Sequence, residues 1–370
     1  MRGHVVIVYT PVGGGHKAAA LALCEAAERR GHSVEVLDLF EWAPAIVGAA
    51  YQTAHLRGTS LTPTLYGKGY FAANHRHGAL DPIRRSFDHL AFAKLVNRVR
   101  VSNPHAVIGT HHLPLVVLGR ARELGWLNAP LTGVVTDYTA HACWAEQGVD
   151  SFCVAGALAG RELAGHGVAD DRIIETGIPV RAEFEEVPLL TAPLPGEPLR
   201  VLLTSGTFGV GPTGEVIGSF AGIADLELTV VCGGARGATE QARRAAEGAG
   251  VRARIIGFEE DMVARVNEAH IIIGKAGGLT VTETMTAARP MILVGTVPGN
   301  ELANERLVVE GGAGYAARPK DAGSLANALR NRGALVAMGR NARALVTTHA
   351  AERVLDVAMQ RMGDWVSAAA

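Results

Sequence analysis

The chain has 370 residues, of which 48% are hydrophobic and 19% charged, and its formal net charge is −1. This length predicts two domains, and the abundance of small and apolar residues is typical of α/β proteins. A near-neutral charge argues against nucleic-acid binding. The four cysteines show no CxxC spacing, so we expect free thiols in a reducing cytosol. The sequence offers neither a signal peptide nor an apolar run long enough for a membrane helix, which predicts a soluble or peripheral cytoplasmic protein.

Strands and helices alternate along the first half of the chain. The apolar, β-branched run Val5–Tyr9 predicts a buried strand, and an amphipathic helix follows at about His16–Arg30. Further strands are predicted at Val34–Leu37, Ala106–Ile108, Leu131–Val135, Phe152–Ala155 and Ile173–Glu175. This alternation indicates parallel strands joined by right-handed crossovers.

A proline-rich stretch interrupts the alternation at residues 185–200, which we interpret as a linker between domains at 1–184 and 201–348. Later strands are predicted at Val201–Thr204, Leu228–Val231, Ala253–Ile256, Ile271–Ile273 and Met291–Val294. The last sixty residues look helical throughout, with a final helix at 349–370 that would pack back on the N-terminal domain. The expected fold is two Rossmann-like, doubly wound parallel-sheet domains with ligands in an interdomain cleft.

Three consecutive glycines follow the first strand, in TPVGGGHKAAA (Thr10–Ala20). They let the backbone at Gly14 and Gly15 approach a ligand closely and expose amides at a helix N-terminus. His16 opens that helix, and its neutral imidazole is suited to take a proton from an acceptor hydroxyl. The alternative interpretation is that His16 only caps the helix.

Glycine-rich turns also follow the strands of the second half. LLTSGTFGVG (Leu202–Gly211) and VVCGG (Val230–Gly234) present backbone amides suited to phosphate. In GKAGGLTVTETM (Gly274–Met285), Thr280 is placed to bond a phosphate oxygen and Glu283 to accept hydrogen bonds from two ribose hydroxyls. These turns together predict a nucleotide diphosphate site.

A fourth turn, PGNELANE (Pro298–Glu305), places Asn300 and Glu301 at a helix start. Their amide and carboxylate groups are suited to several sugar hydroxyls. The sequence therefore predicts that a sugar is bound beside the nucleotide.

The order of these motifs resembles the diacylglycerol glycosyltransferases, which include bacterial processive glucosyltransferases and plant-type monogalactosyldiacylglycerol synthases. More distantly it resembles the peptidoglycan GlcNAc transferase. The resemblance covers almost the whole chain and is carried by GGGH, VTDYTAHACW (Val135–Trp144), TGIPVRAEF (Thr176–Phe184), GFEEDM (Gly257–Met262), KAGGLTVTE and PGNE. It implies a GT-B fold, an inverting mechanism, a UDP-sugar donor and diacylglycerol or a related lipid as the acceptor.

The resemblance also implies residue roles by motif position. His16 in GGGH is the implied base, with Asp137 and His141 lining the acceptor side, and the choice of base between His16 and Asp137 stays open. Gly14, Gly15 and Trp144 complete the predicted acceptor side. Phe258 is implied beside uracil. Thr207 and Gly278 are implied near the phosphates, Glu283 on the ribose, and Asn300 and Glu301 on the sugar. With the residues taken from the turns themselves, the predicted donor set is Gly206, Thr207, Gly233, Phe258, Lys275, Gly277, Gly278, Thr280, Glu283, Asn300 and Glu301.

One residue departs from the family pattern, because the family usually has Gln where this chain has Asn300. Asn300 is one methylene shorter and keeps both donor and acceptor, so the transferred hexose stays open between glucose and galactose. We expect no metal or other cofactor, since no DxD pair or His/Asp cluster with metal-ligand spacing occurs. Helix N-termini and backbone amides would instead stabilise the leaving diphosphate.

The segment between His55 and Arg100 carries a net charge of +6 with interleaved aromatic residues. Such a segment is suited to an anionic membrane surface, which predicts peripheral association with the inner face of the cell membrane. The alternative is a surface excursion with solvated charges. The predicted membrane contacts are Arg57, Lys68, Tyr70, Phe71, Arg84 and Arg85.

Three alternatives belong to other functional classes or acceptors. A UDP-sugar epimerase shares the expected architecture and would isomerise UDP-sugar without liposomes. A non-catalytic UDP-sugar sensor would bind the nucleotide without turnover. A transferase that adds GlcNAc to a lipid-linked peptidoglycan precursor is the third, although that family favours GGTGGH at the first loop, where this chain has TPVGGGH.

Overall fold

The computed structural model describes residues 2–44, 47–48, 74, 91–191, 196–207, 209, 211–297, 299–330 and 332–369. Backbone contacts divide the chain into two compact units. Unit 1 comprises Met1–Ala182 and Thr347–Ala370, and unit 2 comprises Glu183–Val346. Each unit is built around one parallel sheet.

The described part of unit 1 contains a six-stranded sheet and the helices that flank it. The strands are β1 (His4–Tyr9), β2 (Ser33–Asp38), β3 (Ala106–Gly109), β4 (Leu131–Val134), β5 (Ser151–Val154) and β6 (Ile173–Glu175). The helices are α1 (Gly15–Arg29), α2 (Ala93–Ser102), α3 (His112–Glu123), α4 (Ala157–Gly165) and a C-terminal helix (Ala350–Ala369).

Helices cover both faces of this sheet. On β1, Val5 and Ile7 pack with residues of α1 and the C-terminal helix. The alternate residues Val6 and Val8 pack with residues of α2 and α3 on the other face. The strand order β2–β1–β3–β4–β5–β6 changes direction between β1 and β3. In parallel α/β sheets, ligands bind at the carboxyl ends of the strands beside such a change of direction.

Unit 2 repeats this plan with another parallel sheet of six strands among its described residues, in the order β12–β11–β10–β7–β8–β9. The strands are β7 (Leu199–Thr204), β8 (Leu226–Val231), β9 (Ala253–Ile256), β10 (Ile271–Gly274), β11 (Met291–Leu293) and β12 (Gly314–Ala316). The helices are α5 (Glu183–Glu186), α6 (Thr213–Gly218), α7 (Ala238–Ala249), α8 (Met262–Glu268), α9 (Gly278–Thr286), α10 (Asn300–Glu310), α11 (Ala322–Ala328) and α12 (Arg332–Ala344). The strand order changes direction between β7 and β10.

The expectation that the last sixty residues are helical throughout is wrong at β12, which pairs with β11 at the sheet edge. This strand has three residues, and its last two are exposed, so it contains no apolar run that the sequence pattern reveals. A Cβ at Gly314 would lie 2.2 Å from the carbonyl oxygen of Met291. The close approach of β11 and β12 therefore explains the glycine.

The described part of the proline-rich stretch packs on unit 2. Leu190 joins the hydrophobic core of that unit. Arg289, which is 3% exposed, donates hydrogen bonds to the carbonyl oxygens of Pro188 and Ala287, at 3.0 and 2.7 Å. Burial, reinforced by Arg343, lowers the pKa of Arg289 to about 10. These contacts explain why unit 2 begins at Glu183 by backbone contacts, whereas the sequence analysis placed residues 185–200 in a linker.

Candidate functional site

His16 lies in the first turn of α1, immediately beyond the carboxyl end of β1. Its Nδ1 is 2.8 Å from the carbonyl oxygen of Thr110 and 2.9 Å from Oγ1 of Thr136. Gly14 occupies the N-cap position of α1, and no side chain hydrogen-bonds there. The ring of His16 is thus held by the loops after β3 and β4 and does not act as a helix cap.

Two buried threonines form the surroundings of His16 that the sequence analysis missed. Thr110 and Thr136 are 0% and 3% exposed. The Thr110 hydroxyl donates to the backbone carbonyl of His16 at 2.9 Å. These three residues follow β1, β3 and β4, whose parallel order brings their carboxyl ends to one edge of the sheet. A threonine within two residues of the end of β3 and of β4 was the available sequence signal.

Further aromatic side chains pack around His16. The ring centroid of His111 lies 4.5 Å from that of His16, and His112 lies 4.1 Å from His111. Trp144 packs edge-on against both His111 and His112. Nδ1 of His111 also accepts a hydrogen bond from the Leu113 amide at 3.1 Å, which caps α3. His111 therefore satisfies a backbone group and borders the candidate base.

The loop after β4 carries the remaining predicted acceptor-side residues. Asp137 is half-buried, and His141 is buried at the start of a short 3₁₀ helix, Ala142–Trp144. Nδ1 of His141 accepts a hydrogen bond from the Cys143 amide at 3.2 Å. Oδ1 of Asn74 accepts another from the Ala142 amide at 2.7 Å. The predicted acceptor-side residues thus share the carboxyl edge of the unit 1 sheet.

In unit 2, the glycine loops after β7 and β8 contact each other. Gly233 has a φ of +72°, and a Cβ there would lie 2.2 Å from the carbonyl oxygen of Gly206. The Gly234 amide donates to the carbonyl of Thr207 at 2.9 Å. Phe258, in the loop after β9, is 62% exposed and approaches Gly234. The loops that are predicted to bind phosphate therefore lie next to the exposed ring of Phe258.

The loop after β10 leads directly into α9. Gly277 is the N-cap residue, and no heavy atom lies within 4 Å of the position its Cβ would take. Within α9, Thr280 and Glu283 are half-buried and three residues apart, so they lie on the same side of the helix. The amides at this helix start carry the partial positive charge that favours an anion.

Asn304 supports this loop and was missed by the sequence analysis. It is 0% exposed, and its Nδ2 donates to the carbonyl of Ala276 at 2.8 Å. A fully buried amide side chain that bonds a loop carbonyl fixes the path of the loop. Its position four residues after Asn300, on the same helix face, was the available sequence signal.

Glu301 supports the start of α10. Its Oε2 accepts a hydrogen bond from the Val297 amide at 2.7 Å. Burial raises the pKa of Glu301, while Lys275 and the Val297 amide counteract that rise. Asn300 is the first residue of α10, after Gly299 with a φ of +133°. One carboxylate oxygen of Glu301, which is predicted to bind the sugar, thus accepts a hydrogen bond from the preceding loop. Lys275 provides a nearby positive charge.

A cavity of about 1040 Å³ lies elsewhere in unit 2. It lies at the amino ends of β7, β8 and β9, and its lining includes Arg200, Glu227 and Arg254. None of the predicted donor-binding residues lines it. We place the candidate site at the opposite, carboxyl edge because parallel α/β sheets bind their ligands there.

The predicted membrane contacts Arg57, Lys68, Tyr70, Phe71, Arg84 and Arg85 lie outside the described residues. The described end of the same basic segment is α2, where Arg98 forms an ion pair with Glu35 at 2.6 Å. Part of the basic charge is therefore neutralised within unit 1. Across the part of the chain that the structure describes, the helices fall short of the length and apolarity needed to cross a membrane.

Two family models together match most of the chain. Residues 16–180 match the model described as monogalactosyldiacylglycerol (MGDG) synthase. Residues 214–356 match the glycosyltransferase family 28 C-terminal domain. The first match covers most of unit 1, and the second covers most of unit 2. The resemblance to diacylglycerol glycosyltransferases is thereby confirmed, and each predicted site residue from His16 to Trp144 lies in the first matched region.

Individual proteins agree with this family assignment. A processive diacylglycerol beta-glucosyltransferase of Bacillus mycoides is 25% identical over 321 residues, which cover 85% of this chain and 82% of that protein. The crystal structure of MurG from Acinetobacter baumannii superposes with a TM-score of 0.62 at 19% identity, covering 96% of this chain and 99% of that one. Anabaena Alr3699/HepE in complex with UDP gives a TM-score of 0.56 at 14% identity, with full coverage of both chains. The predicted GT-B fold of this glycosyltransferase is confirmed.

Proposed function

We propose that this glycosyltransferase transfers a hexose, glucose or galactose, from a UDP-sugar to diacylglycerol or a related lipid at a membrane surface, with inversion at the anomeric carbon. The observation that carries the proposal is the carboxyl edge of the unit 2 sheet. There the Gly206 and Gly233 backbones touch, Phe258 is exposed beside them, and α9 begins. The processive diacylglycerol glucosyltransferases among the relatives support the choice of acceptor.

Donor binding in this proposal uses unit 2. The Phe258 ring offers an apolar face for uracil, and Glu283 accepts hydrogen bonds from the ribose hydroxyls. The amides around Gly206, Gly233 and Gly278 and the Thr280 hydroxyl bind the diphosphate. Asn300 and the second oxygen of Glu301 bind the sugar.

The reaction proposed is a single displacement. The acceptor hydroxyl oxygen forms a bond to C1 of the sugar on the face opposite the diphosphate, while the bond from C1 to the diphosphate oxygen breaks. His16 takes the hydroxyl proton at Nε2, and UDP leaves with the bonding electron pair. Asp137, at the same edge of unit 1, is the alternative base. Inversion follows because no covalent intermediate forms.

We propose that this reaction needs no metal ion. Charge on the departing diphosphate is stabilised by the amides at the start of α9 and by Lys275. Turnover should therefore be unchanged after dialysis against EDTA and in buffers with EDTA, and a loss restored by Mg²⁺ or Mn²⁺ would contradict this part of the proposal.

The test is an assay of the purified chain with UDP-glucose, UDP-galactose and UDP-GlcNAc, each with diacylglycerol in phosphatidylglycerol-containing liposomes. We expect UDP-glucose or UDP-galactose to give a glycosyl-diacylglycerol whose anomeric configuration is opposite to that of the donor. Isomerised UDP-sugar without liposomes would instead identify an epimerase. Transfer only to a lipid-linked muramyl peptide would identify the peptidoglycan reaction, and UDP binding without any product would identify a sensor.

The base is tested by matched substitutions. Replacing His16 with Ala should lower kcat by about two orders of magnitude or more and leave UDP affinity unchanged, because removing a general base costs about 10²–10⁴ in rate. Replacing Asp137 with Asn keeps shape and removes the charge. A greater loss in D137N than in H16A would transfer the role of base to Asp137.

A further inference from the structure

We propose that Thr110 and Thr136 hold His16 in the tautomer that carries its proton on Nδ1, so that the lone pair sits on Nε2. This makes Thr136 a positioning residue for the base. The inference deepens the proposed function and rests on it for its kinetic part, whereas the tautomer can be measured without any turnover.

The tautomer follows from the chemistry of the two partners. Nδ1 of His16 lies 2.8 Å from the Thr110 carbonyl oxygen. A carbonyl oxygen can only accept a hydrogen bond, so Nδ1 must carry the hydrogen. The Thr136 hydroxyl, 2.9 Å from the same nitrogen, then also accepts from Nδ1–H. In the neutral ring the lone pair is consequently on Nε2, the nitrogen that would take the acceptor proton.

The contacts fix the ring as well as its proton. Thr110 binds His16 at two points, through its carbonyl to the ring and through its hydroxyl to the His16 backbone carbonyl at 2.9 Å. The Thr110 amide is itself bonded to the carbonyl of Val8 in β1 at 3.1 Å. Thr136 contributes a third point from the end of β4. The strand ends thus position the base and limit the orientations that its ring can adopt toward the acceptor hydroxyl.

Thr136 is the member of this set that a substitution can test, because the Thr110 contact to the ring comes from the main chain. Thr136→Val keeps the size of the side chain and removes the hydroxyl, while Thr136→Ser restores the hydroxyl. Thr132 on β4 is a matched control, since it is 0% exposed and its hydroxyl has no hydrogen-bond partner among the described residues.

Kinetics give the first readout. We expect Thr136→Val to lower kcat by about 10-fold with KM nearly unchanged, because the interaction acts on the base rather than on substrate binding. Thr136→Ser and Thr132→Val should stay within about threefold of the parent chain. Equal losses in the Val and Ser variants of Thr136, or no loss in either, overturn the positioning role.

The second readout is the tautomer itself. The chain is labelled with ¹⁵N-histidine, and long-range ¹H–¹⁵N spectra are recorded at pH 8, with the His16 signals identified from a His16→Gln variant. We expect a protonated Nδ1 and an unprotonated Nε2 for His16 in the parent chain, with a greater share of the other tautomer in Thr136→Val. A His16 ring protonated on Nε2, or averaged equally, overturns the inference even if His16→Ala abolishes turnover. Normal turnover in His16→Ala would refute the base and leave the tautomer result intact.

Discussion

At the scale of single residues, the surroundings of each histidine determine what it can do. His16 is half-buried among hydroxyl and carbonyl oxygens, which leaves the ring one defined donor and one defined lone pair. His270 in unit 2 is 3% exposed and lies against Arg200, whose amide donates to its Nδ1 at 3.1 Å. The same side chain thus serves as a candidate base in one place and as a buried acceptor in the other.

The ribose role of Glu283 is tested by a neutral isostere. Glu283→Gln keeps the shape of the side chain but replaces charge-assisted hydrogen bonds, each worth about 1.5–3 kcal/mol, with weaker ones. We expect UDP affinity to fall about 10-fold or more by isothermal titration calorimetry. Glu310→Gln, at the exposed end of α10, is the control and should bind UDP normally. Unaltered affinity in Glu283→Gln would contradict the assignment.

His270 makes the stability of unit 2 depend on pH. Burial, reinforced by Arg200, lowers the pKa of His270 to about 4. In the unfolded chain the same ring takes up a proton near pH 6.5, so between these values protons favour the unfolded state. Stability should therefore fall as the pH drops from about 6.5 to 4, by up to about 3 kcal/mol from this residue.

Urea unfolding at several pH values measures this effect. His270→Gln removes the titrating group, so its free energy of unfolding should vary less between pH 6.5 and 4 than that of the parent chain. His105→Gln replaces an exposed histidine and should retain the parent slope. Identical slopes for His270→Gln and the parent would show that His270 does not cause the dependence.

At the scale of elements, the turns after the strands do most to shape the candidate donor site. Gly206 and Gly233 both have positive φ, at +70° and +72°. Their loops approach this closely because Gly233 has no side chain at the point where the carbonyl oxygen of Gly206 lies. A strand–turn–helix unit of this kind can place several amides around one anion, which a turn with larger residues could not do.

Gly233→Ala tests this contact. The added Cβ would lie 2.2 Å from the Gly206 carbonyl, so the two loops must separate. We expect UDP affinity to fall at least about 10-fold, together with a loss of stability of about 2 kcal/mol or more. Gly250→Ala is the matched control, because Gly250 has a φ of +64° and open space around its Cβ position. It should lose about 1 kcal/mol of stability and bind UDP normally. Normal UDP binding by Gly233→Ala would exclude this loop from the site.

At the scale of the whole molecule, two units of the same plan each carry functional residues at the carboxyl edge of a parallel sheet. Unit 1 takes its last helix from the C-terminal end of the chain, where Val354 and Leu355 pack in the same core as Val5 and Ile7. That contact ties the chain end to the first strand. Unit 1 therefore consists of two separate segments of the chain, whereas unit 2 is one continuous segment.

Membrane association is a prediction for the intact molecule. Neutralising Arg84 and Arg85 to Ala should weaken binding to anionic vesicles, since each basic residue near such a surface contributes about 1 kcal/mol. Sedimentation with vesicles should show a larger loss at low than at high salt, because salt screens the attraction. Arg243 and Arg244, exposed on α7, provide a control pair of the same charge. Unchanged sedimentation of the Arg84/Arg85 variant would contradict the predicted membrane contact.

The sequence alone determined most of the strands and the edge of each sheet at which the site residues lie. Buried parallel strands need continuous apolar runs such as Val5–Tyr9, and tight turns between strand and helix need glycine, so both leave a local pattern. The GT-B fold was predicted from the resemblance that the order of the motifs carries. The three-residue β12 left no such pattern, and it was missed.

The groups that surround each candidate residue could be identified only from the folded chain. Thr110 and Thr136 are 94 and 120 positions from His16 along the chain, and no local pattern links them to it. Asn304 is likewise recognised as a support of the loop after β10 only from its hydrogen bond to Ala276. The tautomer proposed for His16 likewise rests on a carbonyl that folding brings within 2.8 Å, because the tautomer of an imidazole depends on its hydrogen-bond partners and not on its neighbours in sequence.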